Sequence, residues 1–265
     1  MPIAIKDQIN TLLSFKSVPK RIVSLVPSQT ELLYDLGLGP QLVGITKFCV
    51  HPSNIKKQSS IVGGTKQINL NKIRDLRPDI ILCNKEENTK AIVDACKTVS
   101  QVHVSDIQTL NDSIALIEQY GVLFNKSYEA EILVNNIKQK LNDFKNFVKH
   151  QPIKKVSYFI WKDPWMVAGK HTFINHLLQL NRYENVYGNK LRYPEINWPL
   201  VVPNTQVELV MLSSEPFPFT EKHKAEVQHY YPNSTVLLVD GEMFSWYGSR
   251  LIKAFDYFKK LRVNL

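Results

Sequence analysis

The chain has 265 residues, 44% of them hydrophobic and 22% charged, with a formal net charge of +9. It is long enough for one large or two modest globular domains, and no apolar run approaches the length of a membrane span. Three sparse cysteines, Cys49, Cys83 and Cys96, exclude a disulfide framework. The lysines are scattered, without an aromatic-studded basic stripe, so the charge reads as a solvated surface and not as a nucleic-acid interface. The amino-terminal stretch MPIAIKDQINTLLSFKSVPKR has no basic n-region leading into a long apolar h-region, and no lipid-anchor cysteine. That predicts either a cytoplasmic chain or one whose leader lies outside this sequence.

The segment RIVSLVPSQTELLYDLGLGPQLVGIT is the first structured unit. Residues 22–26 read as a buried strand, Pro27 breaks it, and a helix follows up to Gly37 and Gly39. Ser28 and Glu31 have the spacing of a capping box, which would satisfy orphan amides of the first turn. The result is a short βαβ unit with a polar helix start at the carboxyl end of its strand, where open α/β sheets bind ligands. Next come a short helix after Asn69, a doubly buried strand at 79–83, a helix at 89–99 and a strand at 101–104. Cys83 falls in that apolar strand as a small core residue. The alternation predicts a parallel, doubly wound sheet ending near residue 122. Residues 127–148 carry apolar positions at a helical period without Gly or Pro, which predicts one helix about 30 Å long. A second α/β series follows: strands at 155–160, 207–212 and 236–239, with helices at 171–180, 223–230 and 249–261. The expected fold class is therefore α/β, two Rossmann-like lobes with parallel sheets joined by one long rigid helix and a ligand cleft between the lobes. Its expected divisions are 1–122, a linker helix at 123–152, and 153–265.

No self-contained catalytic motif is present. The seven histidines include no HExxH pair, and no Cys/His set has zinc spacing. His51 and His171 lie in loops but nothing pairs them. Gly63-Gly64-Thr65-Lys66 lacks the frame of a P-loop, and there is no GxSxG elbow. Aromatic residues carry more. Trp161, Trp165, Trp198, Trp246 and Tyr247 fall in strand-to-helix loops of the second half, and Phe48 has the corresponding place in the first. Flat side chains grouped around a cleft suit a large, partly apolar ligand. Arg250 reads as a ligand contact or a surface pairing, and Ser28, Gln29 and Thr30 read either as a helix cap alone or as a cap with added ligand contact.

The ordered series RIVSLVPSQTELLYDLGLGPQLVGIT, VGGTKQINLNKIRDLRPDIIL, VAGKHTFINHLL, INWPLV and WYGSRL resembles the class III periplasmic substrate-binding proteins of ABC importers. The resemblance covers nearly all of the chain after residue 19 and is strongest to the cobalamin-binding receptors. It implies a non-enzymatic, monomeric receptor with no covalent cofactor. Its ligand would be a corrinoid or a related metal chelate, with a siderophore, haem or a metal ion as the alternative. The implied contacts are Ser28, Gln29, Phe48, Thr65, Lys66, Trp161, Trp165, Trp198, Trp246, Tyr247 and Arg250. Thr65 stands where one member of the family has a stacking Trp. Asn71 and Thr205 replace the acidic residues that dock such receptors on an ABC permease. The resemblance points to a periplasmic or membrane-associated protein, the missing leader to a cytoplasmic one. The competing reading is a cytoplasmic corrinoid-handling factor or enzyme on the same scaffold.

Overall fold

A computed structural model describes residues 2–196 and 207–265. The chain opens with an antiparallel hairpin, β1 (Ile3–Lys6) and β2 (Leu12–Phe15). Asp7 organises its turn: one carboxylate oxygen accepts the amides of Ile9 and Thr11, and the other accepts the amide of Val104. The hairpin had no counterpart in the sequence reading, because four-residue strands give too short a periodicity to register.

The first series runs β3 (Ile22–Ser24), α1 (Pro27–Asp35), β4 (Leu42–Ile45), α2 (Ile55–Gln58), β5 (Ser60–Ile61), α3 (Leu70–Asp75), β6 (Ile80–Asn84), α4 (Lys90–Lys97), β7 (Gln101–Ser105) and α5 (Leu110–Leu123). Its five strands are all parallel, in the order β5-β4-β3-β6-β7. Every residue of β6 is buried, as a strand covered on both faces requires. Val23, Leu25, Ile81, Cys83, Ile92, Val93 and Cys96 share one apolar core. Each of the Val, Leu and Ile side chains removed from water contributes about 1.5–3 kcal/mol. Asn69 and Thr89 cap α3 and α4 through their side-chain oxygens.

The expected capping box at the start of α1 does not form. Pro27 occupies the first turn, the N-cap is Val26, and no side chain caps the helix. Proline lacks the amide that a cap would satisfy, so the helix starts one residue early. Ser28 and Glu31 then lie inside the helix and serve other ends.

Helix α6 spans Ser127–Val148, the bounds that its periodicity predicts. Beyond it come β8 (Lys154–Trp161), β9 (Met166–Val167), α7 (Phe173–Leu180), β10 (Tyr183–Asn185), β11 (Leu209–Ser213), α8 (Glu221–Tyr230), β12 (Thr235–Val239), α9 (Gly241–Ser245) and α10 (Leu251–Val263). The strands β10-β8-β11-β12 are parallel neighbours, and β9 pairs antiparallel with β8. Phe159, Trp165, Val210, Leu212, Phe219 and Val227 share its core.

The chain forms two compact units. The first holds Met1–Ile107, Asn111–Ile137 and Tyr247–Arg250; the second holds Gln108–Leu110, Lys138–Trp246 and Leu251–Leu265. Residues 247–250 thus belong with the amino-terminal unit, whereas the sequence reading placed all of 153–265 in the second lobe. Among the described residues no helix is long and apolar enough to cross a membrane.

Candidate functional site

In each sheet the strand order reverses direction at one point, and the carboxyl ends there are where a ligand would be received. In the first unit that point lies between β3 and β6. The structure fills it from within. Gln29 is fully buried on α1 and donates to Ser105 Oγ (2.7 Å), the Tyr247 hydroxyl (2.9 Å) and the Cys83 carbonyl (3.3 Å). Its own carbonyl accepts the Tyr120 hydroxyl at 2.6 Å. Asn84 donates to Ser105 Oγ at 2.9 Å, which completes a polar network inside the unit. Burial pushes the Tyr247 phenol upward and keeps it protonated; Ser28 lies close enough to moderate the rise but makes no well-formed hydrogen bond. A buried network of this kind is stable because the amides of Gln29 and Asn84 and the hydroxyls of Ser105, Tyr120 and Tyr247 exchange water for one another.

Arg250 is committed as well. Its Nε donates to Glu31 Oε2 at 2.9 Å, and both side chains are almost wholly buried. Just before it, the Gly248 amide donates to Ser113 Oγ at 2.9 Å. Gly248 has a positive φ of 81° and packs on Leu32, where a Cβ would sit 3.2 Å from the Leu32 side chain. Gln29, Tyr247 and Arg250, expected to meet a ligand, therefore hold the first unit together. The sequence hid this because the partners lie far apart in the chain.

The exposed edge of the first unit is built from the loops after β4, β5 and β6. The Lys47 amide donates to the Gly63 carbonyl, and the Gly64 amide to that of Gln67, both at 2.7 Å. Asn88 ties this edge together: Nδ2 donates to the carbonyls of Thr65 (3.0 Å) and Leu25 (3.3 Å), and Oδ1 accepts the Asn84 amide (2.8 Å). Lys66 Nζ donates to the Glu86 carbonyl at 2.8 Å. Phe48 stands on this edge with half its surface exposed. Below it the Cys49 thiol is buried against Thr30 and Thr46, and burial raises its pKa. On this edge Thr65 is half-buried and Lys66 exposed. Asn84 and Asn88 were missed; an asparagine closing an apolar strand, with another four residues on, is a readable turn signal.

In the second unit the reversal lies between β8 and β11. Trp161 ends β8 and is 38% exposed, its ring edge-on to Phe217 with centroids 5.7 Å apart. Trp165, only four residues on, is a core residue: it stacks on Phe219 at 6.0 Å, meets Phe159 edge-on, and carries Lys162 over its ring. Trp246 is buried too, its indole N–H donating to Glu215 Oε1 at 2.8 Å. Ser245 donates to the same oxygen at 2.6 Å. Burial holds the Glu215 carboxyl above its ordinary range despite these donors. Of the expected second-unit aromatics, Trp161 alone among the described residues is presented to solvent. Trp198, like the docking position Thr205, lies outside the described residues. Asn71 is exposed on α3 and accepts a hydrogen bond from Arg74. Among the described residues no group of three or more His, Cys, Asp or Glu side chains is placed to hold a metal ion.

Comparison with known proteins fits this architecture. The chain is 28% identical, over 96% of its length and 83% of the relative's, to an uncharacterized ABC transporter substrate-binding lipoprotein, YvrC, of Bacillus subtilis. It is 25% identical to a vitamin B12-binding protein of Pectobacterium carotovorum, over 90% of this chain and 86% of that one. A periplasmic binding protein of Veillonella parvula superposes with a TM-score of 0.80 at 17% identity, covering 100% of this chain and 98% of that one, a likeness of fold. The model of the family described as periplasmic binding protein matches residues 22–224, and the chain belongs to that family.

Proposed function

We propose that this chain is the solute receptor of an ABC-type importer and that it captures a metal chelate of the corrinoid class. Membership of the periplasmic binding protein family and the names of its relatives, one a substrate-binding lipoprotein and one a vitamin B12-binding protein, support a receptor role. The observation that carries the ligand class is the exposure of two large rings, Phe48 and Trp161, at the carboxyl ends of β4 and β8. A flat chelate gains apolar contact from such rings at little rotor cost. Trp198, in the segment between β10 and β11, is the third ring of this reading. The receptor works outside the cytoplasmic membrane and delivers its ligand to a permease. Asn71 and Thr205 then require docking contacts other than the acidic pair that the resemblance implies.

Calorimetric titration with cyanocobalamin tests the reading, with haemin and a ferric siderophore as parallel ligands. Saturable binding of cyanocobalamin is expected, and Trp161→Ala should weaken it by about 2 kcal/mol, roughly thirtyfold. Absence of heat with all three chelates at high micromolar concentration would sink the proposal.

A further inference from the structure

The edge that carries Phe48 also carries cations in an uneven state of neutralisation. Lys47, Lys66 and Lys85 follow the ends of β4, β5 and β6 and are all exposed. Lys85 is already matched, its Nζ on Asp106 Oδ2 at 2.5 Å. Lys47 and Lys66 are not: among the described residues neither ammonium is paired with a carboxylate. Lys47 Nζ instead lies over the Phe48 ring, 5.0 Å from its centroid. Lys66 uses one of its three N–H donors on the Glu86 carbonyl, which leaves two to offer. Gly64 makes the corner, since a Cβ there would come within 3.0 Å of Phe48 Cε2 and 3.6 Å of Lys47 Cε. The ring and the lysine stem thus rest on bare backbone at a turn pinned by Asn88. The acids on this edge are engaged: Glu86 and Glu87 have interactions of their own, and Glu87 acts on the buried Cys49 and Tyr247.

We propose that this corner reads an anionic substituent of the chelate, a carboxylate or a phosphate, which Lys47 and Lys66 meet while Phe48 packs on the adjoining ring face. The inference rests on the receptor reading above and narrows its ligand class to chelates with an anionic arm. Exposed ammonium groups on a fixed corner favour such an arm through charge-assisted hydrogen bonds that salt weakens.

The experiment titrates the intact chain, Lys47→Ala, Lys66→Ala and, as control, Lys85→Ala with three probes. Cyanocobalamin carries a phosphodiester arm, haemin two carboxylates, and dicyanocobinamide the corrin ring without the phosphate arm. Each of the first two substitutions should weaken the probe whose anion is read by roughly three- to tenfold, the value of one charged hydrogen bond discounted for exposure. Dicyanocobinamide should change less than about twofold, Lys85→Ala should match the parent, and raised salt should shrink the differences. Which of cyanocobalamin and haemin responds identifies phosphate or carboxylate. Equal losses across all three probes, or no loss with any, overturn the inference while leaving the receptor reading intact. Failure of the parent chain to bind any chelate removes both.

Discussion

Two aromatic segments, WKDPW at the end of β8 and WYGSR before α10, look alike in sequence, yet only the first keeps a ring at the surface. Trp161 stays at the surface, while Trp165, Trp246 and Tyr247 are buried. What separates them is whether a polar or ring partner waits inside the fold. Tyr247 finds Gln29 and Ser105, Trp246 finds Glu215, and Trp165 finds Phe159 and Phe219. Trp161 meets only the edge of Phe217 among the described rings and keeps a free face. An aromatic residue in a strand-to-helix loop is thus equally suited to wiring a fold and to meeting a ligand.

Arg250 separates the two segments most strongly. If the WYGSR segment is internal wiring, Glu31→Ala or Arg250→Ala deprives one buried charge of its ion-pair partner and costs about 3–5 kcal/mol, read as a lower urea midpoint. Replacing both by Met should recover much of that loss. A fully stable Glu31→Ala chain with weakened ligand binding would instead return Arg250 to the ligand.

The WKDPW segment is sharpened by its own two tryptophans. Trp165→Ala should cost about 3–5 kcal/mol of stability, as truncation of a packed indole does. Trp161→Ala should cost about 1 kcal/mol or less, because little of its packing is lost. Equal destabilisation by the two would mean that Trp161 is also a core residue.

The smallest effects are on pH, and the two units should respond with opposite sign. Burial raises the Glu215 carboxyl of the second unit above its ordinary 4.5. Above that pH the unfolded chain has ionised while the folded site keeps its proton. Stability from this group is complete below 4.5 and is lost as pH rises through the folded value. Burial lowers His103 of the first unit below 6.5, so its contribution is complete above 6.5 and is lost as pH falls through the folded value. Urea midpoints followed between about pH 4 and 8 should flatten on opposite sides in Glu215→Gln and His103→Gln. The same slope in both variants would refute the assignment.

Much of this architecture was legible in the chain. The strands at 79–83 and 236–239 and the helix Ser127–Val148 are carried by local apolar periodicity, which survives without tertiary help. The helix start at Ser28 was misread because a capping-box spacing ignores what Pro27 does to the first turn. Among the residues named as ligand contacts, Phe48, Lys66 and Trp161 are exposed and Thr65 is half-buried, whereas Gln29, Trp165, Trp246, Tyr247 and Arg250 are buried.

The longer strands and helices and the family are legible in the chain alone, because they depend on short-range pattern and order, while the short strands β1, β2, β9 and β10 are not. The tertiary structure alone decided which aromatic and charged residues of those loops face inward. That choice turns on partners remote in the chain, Glu31 for Arg250 and Gln29 for Tyr247, and burial without such partners would cost more than packing returns.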